Sequence, residues 1–343
     1  MTHQAAQLTH RPIQFGFMDE LSRLFPRLIL ACIAQPCNAR CPHCFLTVKE
    51  EYFKEHFKQP TEHRYLPWEM WQALVDEMAL HTNHTHLRIS SYGETMLHKQ
   101  FTRFIEYSRS KQVRTSVITN GSRMTEAISR CMIETGIESI EISAETHRPD
   151  LYSIIKVGLE FESLLKNIET LVRIRDEARS ATLILVGIIN QPHANPEIDL
   201  AIDFWNKRVD HVSVRHFVTW GLDTLESRDE TTAPYLEATD PCPYPYERLM
   251  IDPSGKIRLC PYDNQGKIAE FGTLGTHTIK SVWASDRHNK IKKCHGITFD
   301  RERAKNDAPL CRNCEDRVNR SWTFNYLSIP HKAIPQYRNP QKS

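Results

Sequence analysis

The chain has 343 residues, 40% hydrophobic and 25% charged, the composition of a folded globular protein with room for a large core. A formal net charge of +2, with no clustered basic stripe, excludes the electrostatic footprint of a nucleic-acid binder. No apolar stretch approaches the length of a membrane span and no apolar signal core precedes Cys32, so no membrane partner and a cytoplasmic location are expected.

Residues 1–26 read as a polar lead-in, and the run Leu28–Ala34 as a first buried strand. Residues 45–67, rich in aromatic and charged side chains, read as a loop or short helix. Strands and helices then alternate. Strands are predicted at Leu87–Ser91, Val113–Thr119, Ser139–Ser143, Thr182–Ile189 and His211–Phe217. Between them, helices are predicted at Phe101–Ser110, Met124–Thr135, Phe161–Arg175 and 197–207. In the third of these helices Phe161, Leu164, Leu165, Ile168, Leu171 and Val172 share one face. Strand–helix units of this period imply a parallel sheet wrapped by helices.

Several strands alternate apolar and polar residues. Ile140 and Ile142 face one way and Ser139, Glu141 and Ser143 the other; Arg88 and Ser90 alternate with Leu87 and Ile89, and Ser213 and Arg215 with Val212 and Val214. A sheet covered on both faces rarely shows this, so either a lumen holds a polar ligand or some strands lie at an edge. Beyond residue 217 a polar stretch leads to Cys242. A hairpin follows at Leu249–Ile251 and Lys256–Leu259 around Pro253-Ser254-Gly255, then a helix near 279–293.

Ten cysteines in a chain of this size read as reduced, metal-binding thiols rather than a disulfide framework. Cys37, Cys41 and Cys44 are spaced C-x3-C-x2-C on one short segment after the first strand. Three such thiolates can hold three corners of a cubane and leave one iron open. Zinc, with His43 or a remote residue as fourth ligand, is the alternative. Cys242, Cys260, Cys311 and Cys314 form a second set, C-x17-C followed by CxxC, again open to either a cluster or zinc. Cys294 could replace one of these four, though its isolation suits an ordinary thiol, and Cys32 and Cys131 read as packing residues.

The first set, with three segments that follow it in order, resembles the radical S-adenosylmethionine (radical SAM) superfamily. His43 precedes the last cysteine of the cluster motif, as in that family. Ser91-Tyr92-Gly93-Glu94-Thr95 resembles its GGEP motif, Thr119-Asn120-Gly121 its TNG, and Ser143-Ala144-Glu145 its S-x-D segment. Lys156 lies where the family usually carries an arginine. Only one glycine precedes Glu94, Thr95 replaces proline, Glu145 replaces aspartate, and Lys156 lacks the bidentate fork of arginine.

The resemblance implies an α/β fold: a partial (β/α)6 TIM-type barrel over 27–220, then a small C-terminal Fe–S domain of SPASM/twitch type over 221–316 and a tail over 317–343. It implies a [4Fe–4S] cluster with an open iron and S-adenosyl-L-methionine as cofactors. His43, Gly93, Glu94, Thr119, Asn120, Ser143, Glu145 and Lys156 are the cofactor-binding residues that it implies. The C-x12-G-x4-C spacing around Gly255 resembles the SPASM/twitch extensions, and with nothing after Cys314 it implies one auxiliary [4Fe–4S] cluster on Cys242, Cys260, Cys311 and Cys314.

A fully ligated second cluster suits electron transfer. The expected reaction is therefore hydrogen abstraction by a 5′-deoxyadenosyl radical leading to dehydrogenation of a small polar, sugar- or cyclitol-like molecule, with an external electron donor such as flavodoxin or ferredoxin. Arg88, Glu141 and Arg215 would line a lumen for such a substrate, or serve S-adenosylmethionine or one another. Glu141, Tyr92 and His216 are the candidate catalytic residues. The competing reading is modification of a peptide, for which 26 residues before the first strand are too few to form a recognition domain, although a separate protein could supply one. A non-catalytic zinc scaffold using both cysteine sets is the reading from another class.

Overall fold

The computed structural model describes residues 24–48, 64–81, 85–90, 92–191, 197–216, 239, 241–263, 271–296, 298–314 and 317. The expected lead-in up to residue 23, the polar connection over 217–238, and the tail from 318 lie outside them.

Strand β1 (Leu28–Cys32) is followed by the short helix α1 (Phe45–Val48) and by α2 (Trp68–Ala79). The chain then alternates through β2 (His86–Ser90), α3 (Phe101–Ser110), β3 (Thr115–Thr119), α4 (Glu126–Glu134) and β4 (Ser139–Ser143). Two helices, α5 (Pro149–Ile155) and α6 (Phe161–Glu177), precede β5 (Leu183–Asn190), which leads through α7 (Ile198–Asn206) to β6 (His211–His216). The six strands pair in parallel in chain order, the partial (β/α)6 barrel expected.

Two helices of the barrel escape the sequence reading. Trp71, Leu74, Val75 and Met78 of α2 are buried at helical spacing, and α5 starts on Pro149, a residue suited to a first helical turn. Strand β3 starts at Thr115, two residues later than expected. On α6 the buried stripe is Phe161, Leu164, Ile168, Leu171 and Ile174, with Leu165 and Val172 at its partly buried margins.

The C-terminal region is not a separate layer. After α8 (Tyr244–Glu247), strand β7 (Arg248–Ile251) pairs in parallel with β1, and β8 (Lys256–Arg258) and β9 (Gly272–Thr273) continue antiparallel. The sheet therefore has nine strands in the order β6-β5-β4-β3-β2-β1-β7-β8-β9. Leu249, Ile251 and Ile257 join the barrel's main core, with Ile279, Val282 and Trp283 of α9 (Ile279–Trp283). The single helix expected near 279–293 is two, because the Ser285 side chain caps the amide of His288 and starts α10 (Asp286–Cys294). A second core begins at Leu259 and contains Cys260, Ile291, Cys294, Phe299, Cys311 and Ala304 of α11 (Arg301–Asp307).

Strand alternation sorts the two faces of the sheet. Ile29, Ala31, Leu87, Ile89, Val117, Ile140, Ile142, Ile184, Val186 and Ile188 pack with the helices. On the opposite face Leu28, Leu30, Cys32 and Met250 form a small apolar cluster against Tyr92. Across β2, β4 and β6 that face carries Arg88, Glu141 and Arg215. Glu141 is fully buried and forms salt bridges with both arginines. Contributions from alternate strands to one layer are the packing rule of barrels. Gly187 makes room for this layer: a Cβ there would stand 2.8 Å from Glu141 Oε1 and 3.5 Å from Arg215 Nη1. The edge reading also has a place, since β6 ends the sheet and its Val214 is exposed.

Candidate active site

The segment from Gln35 to Cys44 leaves the C-terminal end of β1 and packs under the turn after β2. Gly93 N donates to the Ala34 carbonyl at 3.2 Å and Glu94 N to the Pro36 carbonyl at 2.8 Å. Only glycine fits at 93, because a Cβ would lie 1.9 Å from the Pro36 carbonyl oxygen and 2.3 Å from that of Gln35. The contact fixes the cysteine loop against the Gly-Glu turn.

Cys37, Cys41, His43 and Cys44 open on one cavity of about 220 Å³, which Tyr92, Gly93, Glu94, Thr119, Asn120, Ser143, Glu145 and Lys156 also line. Every cofactor-binding residue implied by the resemblance thus faces one space. Ile118 and Ile189 close it with apolar surface. Burial pushes the thiols of all three cysteines up, Cys44 to about 11, and pushes the His43 imidazole down to about 4.

Glu94 is buried, and its carboxylate accepts from Thr119 Oγ1 at 2.6 Å, Asn120 N at 2.7 Å and Met96 N at 3.0 Å. Burial raises it above the ordinary carboxylate range, against these donors. Asn38, absent from the sequence reading, ties the segment after β3 to the cysteine loop: its Oδ1 accepts from Asn120 Nδ2 at 3.1 Å and its Nδ2 donates to Ser122 Oγ at 2.8 Å. Glu145 sits at a positive φ of 65°, with Oε1 3.2 Å from Lys156 Nζ and Oε2 accepting from Ile189 N at 2.7 Å. Burial opposes the Lys156 charge, but Glu145, Cys41 and Tyr152 together outweigh it and hold the ammonium above the ordinary lysine range. Lys156 meets Glu145 through a single ammonium where an arginine would offer a fork.

The candidate catalytic residues fall in three different places. Tyr92 lines the cavity, but its hydroxyl contacts Met250 Sδ at 3.7 Å, and burial holds it well above its usual range. Glu141 is held between Arg88 and Arg215, which fits a structural ion pair better than a base. His216 ends β6 opposite Asn190, and its side chain lies outside the described residues.

At the C-terminal centre Cys260 and Cys311 are buried, and burial drives both thiols well above their usual range. Cys311 lies close enough to Cys314, Cys260 and Cys242 for their charges to act on it. Cys294 is buried in the same small core, but the charges acting on it are Asp307, Arg303 and Asp300. Cys32 packs in the lumen cluster, whereas Cys131 departs from expectation: it is partly exposed beside Glu106. Asp263, fully buried, lies near enough to both Cys260 and Tyr92 for its charge to act on them. A lone aspartate three residues after a cysteine carries no signal in the sequence.

Soft thiol donors suit iron–sulfur clusters or zinc. Among the described residues no three His, Cys, Asp or Glu side chains converge as a single ion requires. Three thiols spread around one cavity instead fit the separate corners of a cubane. No described helix is long and apolar enough to cross a membrane.

Comparison with known proteins agrees with this geometry. Residues 33–198 match the model of the radical SAM superfamily, and residues 242–315 that of the SPASM iron–sulfur cluster-binding domain. The PqqA peptide cyclase of Rhizobium meliloti is 22% identical over 335 residues, spanning 86% of this chain and 82% of that protein. A probable GTP 3′,8-cyclase of Methanococcus maripaludis is 24% identical over 142 residues, 41% of this chain, and the match spans only 44% of the cyclase. The crystal structure of BtrN in complex with AdoMet and 2-DOIA superposes with a TM-score of 0.56 at 16% identity, covering 84% of this chain and 92% of BtrN. The cofactors are accordingly a [4Fe–4S] cluster and S-adenosylmethionine, with auxiliary iron–sulfur ligation in the C-terminal domain. The cysteine loop, the Gly-Glu turn and the two matching domain models together show that the chain belongs to the radical SAM superfamily, as an enzyme with a SPASM-type C-terminal domain.

Proposed function

We propose that this enzyme removes two electrons from a small polar substrate, a sugar- or cyclitol-like alcohol or amine, in a dehydrogenation. The observation that carries this reading is the second thiol set: Cys314, Cys260 and Cys242 lie near enough to Cys311 for their charges to act on it, and none of the four lines the cavity on which the first loop opens. When bound, the cluster and S-adenosylmethionine supply the 5′-deoxyadenosyl radical that takes a hydrogen atom from a substrate C–H bond.

The chain's own residues set the stage. Cys37, Cys41 and Cys44 hold the cluster, and Glu94 presents a carboxylate for the amino group of S-adenosylmethionine. Asn120, Ser143 and the Glu145–Lys156 pair shape the cavity wall, while Ile118 and Ile189 exclude water. A centre with all four positions taken by cysteine has no site for substrate. It suits acceptance of the electron left on the substrate as a proton departs. Flavodoxin or ferredoxin would serve as the one-electron donor.

Peptide modification is the second reading, favoured by the match to a peptide cyclase over most of the chain. Anaerobic reconstitution should give a brown protein with about eight iron and eight sulfide per chain. With dithionite and S-adenosylmethionine it should release 5′-deoxyadenosine. Sugar and cyclitol panels should yield products lighter by two hydrogens, whereas a cross-linked peptide product would favour the second reading. Absence of 5′-deoxyadenosine from the reconstituted enzyme would overturn both.

A further inference from the structure

The C-terminal thiol set has two companions that cysteine spacing does not reveal. Arg317 lies three residues beyond Cys314 and is 1% exposed. Its Nε donates to the Cys311 carbonyl oxygen at 3.2 Å, and its guanidinium carbon lies 4.1 Å from the centre of the Phe299 ring. An arginine side chain keeps its charge in proteins. The fold therefore keeps a cation beside the cysteines at a desolvation cost.

His295 is also 1% exposed. Its Nδ1 accepts from the Cys242 backbone N–H at 3.1 Å, and an accepting Nδ1 places the ring proton on Nε2. That Nε2–H is buried and has no hydrogen-bond partner among the described residues. The ring lies near Phe299, with centroids 4.9 Å apart, and Phe299 is also the ring that Arg317 covers. A buried donor without an acceptor is costly unless something absent from the polypeptide receives it.

We propose that Arg317 and His295 are positioning residues of the auxiliary centre: Arg317 a fixed charge, His295 an Nε2–H donor toward its sulfur atoms, and both raising its reduction potential. The inference rests on the reading that this centre accepts the substrate electron. Four thiolates give the centre a net negative charge, and reduction adds one more. In a low-dielectric site a nearby cation and hydrogen bonds to sulfur stabilise the reduced state most. The electron balance would close with one electron entering from the substrate radical, whose proton passes to solvent, and one leaving to an oxidised flavodoxin or ferredoxin.

The test is a potentiometric titration of the full-length reconstituted enzyme, followed by electron paramagnetic resonance. The auxiliary signal is the one that S-adenosylmethionine does not perturb. Arg317→Gln should make its reduction less favourable by about tenfold, which is about 59 mV for one electron. Arg317→Lys keeps the charge and should lose less than half of that, and His295→Leu should shift the potential in the same direction as Arg317→Gln. Should Arg317→Gln fail to retain its iron, Arg317→Lys and His295→Leu carry the test. Unchanged potentials in variants with full iron content would overturn the inference. Because the potential is read without turnover, that outcome is distinct from failure of the dehydrogenase reading, which shows as missing 5′-deoxyadenosine or missing oxidised product.

Discussion

Gly93 is the point where two chain segments touch with no space for a methyl group. A Cβ at 1.9 Å from a backbone oxygen can be relieved only by moving the cysteine loop or the Gly-Glu turn, and either moves the cavity wall. Gly93→Ala should therefore lower 5′-deoxyadenosine release by about 100-fold, as a displacement of roughly an ångström does in a positioned site. Iron content should fall less than activity. The Glu145–Lys156 pair allows a sharper contrast. Both side chains are buried, so Lys156→Met strands a carboxylate and should cost about 3–5 kcal/mol. Lys156→Arg keeps the charge and should cost much less. Thermal unfolding of the cluster-free chain separates the two, and equal losses would mean that size, not charge, matters at 156.

At the scale of elements, one carboxylate joins the barrel to the C-terminal region. Glu77, in the last turn of α2, accepts from Ile279 N through Oε2 and Lys280 N through Oε1, both at 2.8 Å. Glu77→Ala should cost about 2 kcal/mol by leaving two amides at the start of α9 without partners. Hydrogen exchange at Val282 and Trp283 should quicken, while the amides of β3 and β4 stay protected. Such a link was not legible in the sequence, because its partners lie about two hundred residues apart. The same holds for β7 on β1 and for the Asn38–Asn120 bond. What was legible is local: the two-residue alternation of β4, the stripe of α6, and motif segments that each follow a strand. Helix α2 carried a readable apolar stripe, but the aromatic and charged stretch before it hid the start. Glu141 shows the limit for the site. Alternation placed it in the lumen, yet its two arginine partners, on strands two away on either side, decide that it is held as an ion pair.

At the scale of the molecule, burial of neutral histidines and separation of the two thiol centres have measurable consequences. Burial pushes His211 and His288 down to about 4, against about 6.5 when unfolded. Between those values the unfolded chain binds protons that the folded chain refuses, so stability should fall as pH drops from about 6.5 to about 4. The slope is about 1.4 kcal/mol per pH unit for each histidine, and urea midpoints in a pH series would read it. The separation of the centres is tested by Cys311→Ala. Cys311 belongs to the small core around Leu259 and Phe299, whereas Cys37, Cys41 and Cys44 open on the barrel cavity. Removing one of four closed ligands should lower iron from about eight to about four per chain and leave the first centre intact. The variant should still release 5′-deoxyadenosine under dithionite, but substrate should be returned unoxidised, because its electron has no acceptor. Loss of 5′-deoxyadenosine along with the iron would show instead that the C-terminal centre is needed to hold the barrel site together. The seam where β7 pairs with β1, with the Asp263 charge near both Cys260 and Tyr92, is where that dependence would act.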